Sequence, residues 1–205
     1  MSVKAINKTA PSTLAVLALY ALALWHTGAR AETSVTLSIA DAFAAYGSST
    51  LSRSSKRKLA GSEDLWRAVP AYFQLTLEPK RARVAHERAQ LLSNPNFIRN
   101  ASTRARPYLH FIVQRIAERD MPGELALLPI VESGYNPFAR SHAGAQGPWQ
   151  FIASTGDHYG LARNWWYDGR GDIIASTKAA LDYLQHLADR FDGDWLLALA
   201  AYNCG

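Results

Sequence analysis

Cysteine is almost absent. The 205 residues hold one, Cys204, which excludes an internal disulfide framework and a multi-cysteine zinc site. Histidine supplies no substitute: His26, His86, His110, His142, His158 and His186 are scattered, with no H-E-x-x-H pair and no tight ligand spacing. No metal site is expected. A phosphate loop and a nucleophile elbow are missing as well. Asp168-Gly169-Arg170-Gly171-Asp172 resembles a calcium loop only on the surface, because the ligand spacing and the closing Glu are lacking. Strand-like alternation is sustained nowhere, and no internal repeat is present.

A strong charge of one sign is also lacking. Lys and Arg total 22 against 17 Asp and Glu, a net charge of +5. Much of that excess sits at the start. Lys4 and Lys8 form a basic n-region, Leu14 to Leu24 is an uncharged apolar run, and Ala29-Arg30-Ala31 is an A-x-A cleavage site. Residues 1–31 read as a signal peptide. Without Lys4, Lys8 and Arg30 the 22 bases become 19 against 17 acids, or +2. That excludes a nucleic-acid reading based on charge. The apolar run is about half the ~20 residues that a spanning helix needs, so cleavage is favoured over anchoring. No Cys follows it to carry a lipid. The expected location is exported and periplasmic.

What is present is apolar and aromatic. Hydrophobic residues make up 48%, with six Trp and nine Tyr. Such a chain builds a core and also offers flat faces to ligands. Residues 32–61 are weakly organised, with small, polar and basic runs at 47–50 and 52–58, and read as a flexible linker rather than as a basic strip on an anionic polymer. From Ser62 onward the pattern is helical. Ser62 caps a first turn holding Glu63 and Asp64, and Pro79 suits a helix N1 position ahead of Val84, Arg88, Leu91 and Leu92. Asn94-Pro95-Asn96 breaks that helix, and Pro107 opens the next. Leu109, Ile112, Val113 and Ile116 fall on one stripe. Met121-Pro122-Gly123 stops it.

A short apolar segment, Leu125 to Val131, follows, with a kink expected at Pro129. Residues 134–148 read as an ordered loop, and Trp149 to Thr155 as a short helix. Asp172 caps the longest helix, and Asp194 caps a last apolar one through Tyr202. The expected class is all-α with long functional loops. Trp195 to Ala201 is nearly all apolar and needs partners on most sides, which suggests a C-terminally truncated domain.

Glu132 is the leading candidate for chemistry. It ends the apolar segment Leu127, Leu128, Ile130 and Val131, and Ser133-Gly134 follow. Desolvation there raises a carboxyl pKa, which is what a general acid near neutral pH needs. The bland alternative is an exposed helix-end Glu. Gly144 and Gly147 allow close approach of backbone to a ligand. Gln150 offers both a donor and an acceptor. Trp149 either stacks on a ring or packs in the core. Trp165-Trp166-Tyr167 reads as core rather than as a sugar platform.

Three segments in order carry a family resemblance. They are Leu125-Ala126-Leu127-Leu128-Pro129-Ile130-Val131-Glu132-Ser133, then Gly147-Pro148-Trp149-Gln150-Phe151, then Ala201-Tyr202-Asn203. Together with Tyr159-Gly160-Leu161 and the run from Ser176 to Leu184, they resemble the family 1 lytic murein transglycosylases, D subgroup. The resemblance is strongest over 107–205 and weaker over Asp64 to Phe73. It implies a goose-lysozyme-like (SLT) catalytic domain at 107–205, incomplete at its C-terminus, behind an N-terminal helical extension at 62–106.

The implied reaction cleaves the β-1,4 bond between MurNAc and GlcNAc without water and leaves a 1,6-anhydro-MurNAc end. Glu132 is implied as general acid and then base, while Ser133, Ser141, Gly147, Gln150, Tyr202 and Asn203 are implied to position the sugar. No cofactor is implied, and the partner is the peptidoglycan glycan strand, with cell-wall or membrane-surface association and no nucleic acid. The sequence offers one convincing acid, and an intramolecular nucleophile removes the need for a second. A hydrolytic muramidase of the same fold and a non-catalytic wall binder remain alternatives.

Overall fold

A computed structural model describes residues 65–75 and 82–204. The expected signal peptide at 1–31, the linker at 32–61, the Ser62 cap and the Pro79 helix start lie outside the described residues. The described residues are helical, with no named strand and three isolated bridges.

The elements in order are α1 (Leu65–Ala68), a 3-10 turn (Val69–Tyr72), α2 (Ala82–Leu92), α3 (Pro95–Ala105) and α4 (Leu109–Glu118). They continue with a 3-10 segment (Gly123–Leu127), α5 (Leu128–Ser133), α6 (Ala153–His158), α7 (Ile173–Arg190) and α8 (Trp195–Cys204). Local chemistry sets several of these ends. Asn94 caps α3 by accepting from the Phe97 N–H, with Pro95 at the first helical position. Asp172 caps α7 by accepting from the Ile174 and Ala175 N–H groups. Asp194 does the same for α8 through Leu196 and Leu197.

Several boundaries differ from expectation. Asn94-Pro95-Asn96 not only breaks α2 but opens a further helix, α3, because Asn94 caps it and Pro95 sits in its first turn. Pro107 does not open α4, which begins at Leu109 after Tyr108. Pro129 makes no kink within a helix. The chain runs as a 3-10 segment to Leu127 and becomes α-helical at Leu128, so Pro129 falls in the first turn of α5, where it costs no internal hydrogen bond. The short helix expected at Trp149 begins later, at Ala153. Gly147, Gln150 and Phe151 instead form a tight turn, with mutual backbone bonds between Gln146 and Phe151.

The core is continuous from α1 to α8. The stripe Leu109, Ile112, Val113 and Ile116 is fully buried, and so is every residue from Met121 to Ile130. Trp66, Val69 and Tyr72 join Ile98 and Ala101 in the same cluster, so the residues before 107 pack on the same core as those after it. Glu124 fastens the two parts. Its buried carboxylate accepts from the Gln74 N–H (3.0 Å) and the Leu75 N–H (2.9 Å). The chain passing through the very centre is thus the one that ends at Glu132. No described helix is long and apolar enough to cross a membrane.

Candidate active site

Glu132 sits in the last turn of α5. The helix ends because Gly134 turns left-handed (φ 60°) and returns its N–H to the carbonyl of Ile130. Tyr135 follows, also left-handed (φ 58°), with its N–H bonded to the Pro129 carbonyl and its buried hydroxyl donating to Ala126. This double turn pins the helix end against the core. Glu132 Oε1 is shut off from solvent and has no hydrogen-bond partner. Burial pushes its carboxyl up to about 7. An unpartnered, desolvated carboxyl that gives and takes a proton near neutrality is costly for stability, and such groups concentrate at functional sites.

Two contacts bring the Gly147–Phe151 turn and α8 to this end of α5. Ser133 Oγ donates to the carbonyls of Pro129 (3.1 Å) and Pro148 (2.9 Å), tying the helix end to the Gly147–Phe151 turn. Tyr202, in the last turns of α8, donates its hydroxyl to the Trp149 carbonyl (2.8 Å). Its phenol is held well above its ordinary pKa by burial and, to a lesser degree, by the Glu132 charge. Asn203 follows Tyr202 in α8 and is partly buried. Gln150 adopts a left-handed conformation (φ 51°), uncommon for a residue with a side chain, and donates Nε2 to the Gly147 carbonyl at 2.8 Å.

Other candidates serve the frame. Ser141 Oγ accepts from the Ala145 N–H (3.0 Å) and closes its own turn. At Gly147 (φ 84°) the close approach is to protein: a Cβ there would lie 1.7 Å from the Arg170 carbonyl oxygen. At Gly144 nothing lies within 4 Å of that position. Trp149 is fully buried, its indole N–H donating to Thr177 Oγ1 at 3.0 Å, so it is a core residue and no stacking face.

Sequence reasoning missed Arg170. This side chain is 5% exposed and is the hub of the loop. It pairs with Asp168 (2.6 Å) and donates to the carbonyls of Gly144 (3.0 Å) and Phe151 (3.2 Å) and to Gln146 Oε1 (3.2 Å). The segment once compared with a calcium loop therefore binds a guanidinium. Among the described residues no group of three His, Cys, Asp or Glu side chains could hold a metal. The available signal was a lone Arg between two glycines with Asp two positions before it. Tyr159 and Tyr183 enter the sequence reading only as parts of the family motifs, with no role of their own. They continue a row of rings from Tyr202, with centroids 5.2 Å (Tyr183–Tyr202) and 5.1 Å (Tyr159–Tyr183) apart.

The expectation for Trp165-Trp166-Tyr167 is overturned. Trp165 is 87% exposed and Trp166 73%, so the triplet is surface and not core. The loop is closed beneath them by its own backbone bonds, which turn the indoles outward.

Comparison with known proteins agrees with this architecture. Residues 111–205 match the family described as Transglycosylase SLT domain. A membrane-bound lytic murein transglycosylase D of Escherichia coli (strain K12) is 44% identical over 147 residues, covering 72% of this chain and 32% of that protein. Its counterpart in Escherichia coli O6:H1 gives the same values. A protein of Alteromonas sp. (strain M-1) named for tributyltin chloride resistance is 47% identical over 104 residues, 51% of this chain and 50% of that one. The chain thus spans about a third to a half of the length of these relatives. The family match spans the buried helix end at Glu132, the Gly147–Phe151 turn and the α8 terminus. Over residues 111–205 the chain is similar to the transglycosylase SLT family.

Proposed function

We propose that this protein is a peptidoglycan lytic transglycosylase with Glu132 as its acid and base. The observation that carries the reading is the Glu132 carboxyl itself: Oε1 buried without a partner, and a pKa raised by burial to about 7. Such a group holds a proton for part of the time at neutral pH and is a competent base once that proton is given up.

In the first step Glu132 donates its proton to the glycosidic oxygen between MurNAc and GlcNAc. The C1–O bond breaks, and GlcNAc leaves with a free 4-hydroxyl. In the second step the MurNAc C6 hydroxyl attacks its own C1. Its proton goes to the Glu132 carboxylate, which restores the enzyme. Water is neither consumed nor released. The nucleophile belongs to the same sugar, so proximity replaces a second carboxylate. The substrate's N-acetyl group can share the positive charge at C1, as in substrate-assisted glycosidases.

The remaining residues position. Tyr202 and Asn203 on α8 and Gln150 in its strained turn supply polar groups to the sugar, while Ser133 holds the helix end to the turn. Ser141 and Gly147 shape the loop that flanks the sugar. The proposed partner is the glycan strand, reached after export to the periplasm. No metal or organic cofactor enters the reaction. The domain limits proposed with it are 107–205 for catalysis and 62–106 for the helical extension.

The test uses purified sacculi. The protein should lower their turbidity, and Glu132→Gln should abolish lysis while still sedimenting with the sacculi. A Glu132→Gln protein that lyses at the parent rate would overturn the assignment of Glu132. A parent that binds without lysis would favour the wall-binding alternative.

A further inference from the structure

Trp165 and Trp166 have no part in the proposed reaction, yet they are the most exposed indoles among the described residues. Their rings are in contact, centroids 4.6 Å apart and planes tilted by 37°. Two large apolar faces left in water are unfavourable unless something covers them.

The loop that carries them is built to hold them still. Arg163 and Asp168 form an antiparallel bridge, and the Asn164 N–H bonds the Tyr167 carbonyl at 2.8 Å. The Asn164 side chain accepts from the N–H groups of Trp166 (3.1 Å) and Tyr167 (2.8 Å). Arg163 pairs with Asp157 on α6, and the Tyr167 hydroxyl donates to the α7 cap Asp172. Beneath them, Asp168 grips Arg170, which bonds Gly144, Gln146 and Phe151. The indole pair and the Gln150 turn are therefore two ends of one rigid frame. A preorganised surface loses little entropy on binding.

We propose that Trp165 and Trp166 form a stacking platform for sugars of the glycan strand beyond the pair being cleaved. The proposal rests on the transglycosylase reading for the identity of the polymer. Pyranose rings present flat C–H faces that match an indole face, and a polymer of repeating sugars presents many of them. The surrounding charge speaks against an anionic membrane surface as the occupant. Residues 157–172 carry three acids (Asp157, Asp168, Asp172) and two bases (Arg163, Arg170), and both bases are already paired with acids. The platform increases the residence of the enzyme on long strands and adds nothing to the chemistry at Glu132.

The test is sedimentation of the full chain with purified sacculi in a Glu132→Gln background, so that the polymer is not consumed. Trp165→Ala with Trp166→Ala should weaken binding about tenfold. The same pair changed to Phe should bind as the parent does. The melting temperature should be unchanged, since neither ring is buried. Equal binding by the Ala variant overturns the platform. Loss of binding to phosphatidylglycerol vesicles with intact sacculus binding overturns it in favour of a membrane contact. A concentration-dependent dimer that the Ala variant abolishes overturns it in favour of a second copy. The two readings fail separately. If the parent releases anhydro ends and the Ala variant still binds, only the platform falls. If the parent releases none while the Ala variant loses binding, only the transglycosylase reading falls.

Discussion

Glu132 is expected to be costly to stability, and the cost has a sign. Its pKa lies at about 7 in the folded protein against 4.5 for an ordinary Glu. Between those values the folded state holds a proton that the unfolded state has released. The stability this proton contributes is complete below about 4.5 and is lost as pH rises through about 7. At pH 8 the buried charge then costs about 3 kcal/mol. Glu132→Gln carries no such penalty. The variant should melt higher than the parent at pH 8, and the gap should close towards pH 5. Calorimetry of both proteins at the two pH values checks this. A variant less stable than the parent at pH 8 would show the carboxyl to be a structural group. Gly147 gives a residue-scale prediction of the opposite kind. A Cβ 1.7 Å from the Arg170 carbonyl cannot be accommodated without moving backbone. Gly147→Ala should destabilise by about 2–4 kcal/mol, measured by urea unfolding, because sterics and the left-handed conformation act together.

At the scale of elements, the site is a junction of three pieces: the end of α5, the Gly147–Phe151 turn and the end of α8. Tyr202→Phe removes the bond to the Trp149 carbonyl and keeps the ring. It should cost about 1 kcal/mol in stability and lower the lysis rate more than that loss of folded protein explains. Equal loss in both would confine Tyr202 to a structural role. Arg170→Met removes the charged partner of Asp168 and the side-chain donor to the Gly144 and Phe151 carbonyls. It should destabilise by about 3 kcal/mol and loosen Gln150. Hydrogen exchange across residues 144–151 would rise. Unchanged protection there would contradict the role given to Arg170.

Much at this scale was legible beforehand, for local reasons. The α4 stripe, the Asp172 and Asp194 caps and the helix end at Gly134 all follow from neighbours within a few residues. Glu132 was legible because its burial comes from its own apolar segment. The rest depended on partners far along the chain. Arg170 is a hub because Gly144 and Phe151 come to it, and Glu124 is a fastener because Gln74 and Leu75 do. Trp149 and Trp165 look alike as residue types, but one finds Thr177 inside the core and the other finds water. No periodicity separates them.

For the whole molecule, one continuous core carries the site at its rim, and titration of its acids shapes the pH response. Burial raises Glu124 as well as Glu132 to about 7, against the pull of the Leu75, Glu124 and Gln74 backbone N–H groups. Both acids therefore withdraw stability as pH rises from about 4.5 through about 7. Asp168 works the other way. Its bond to Arg170 holds its carboxyl below 3.8, so its contribution is present above that value and is lost as pH falls through its lowered pKa. Maximum stability should lie on the acid side of neutral, which thermal melts from pH 4 to pH 9 would locate. Lysis should fall as pH rises above about 7, since Glu132 must start protonated.

The central claim is that the protonated Glu132 breaks the glycan bond and the sugar's own C6 hydroxyl closes it. The most direct test is mass spectrometry of the fragments released from purified sacculi. Ends lighter by one water than muramidase products, and absent with Glu132→Gln, are the predicted result. Hydrated reducing ends released by the parent would contradict it and assign the same carboxyl to a hydrolytic muramidase.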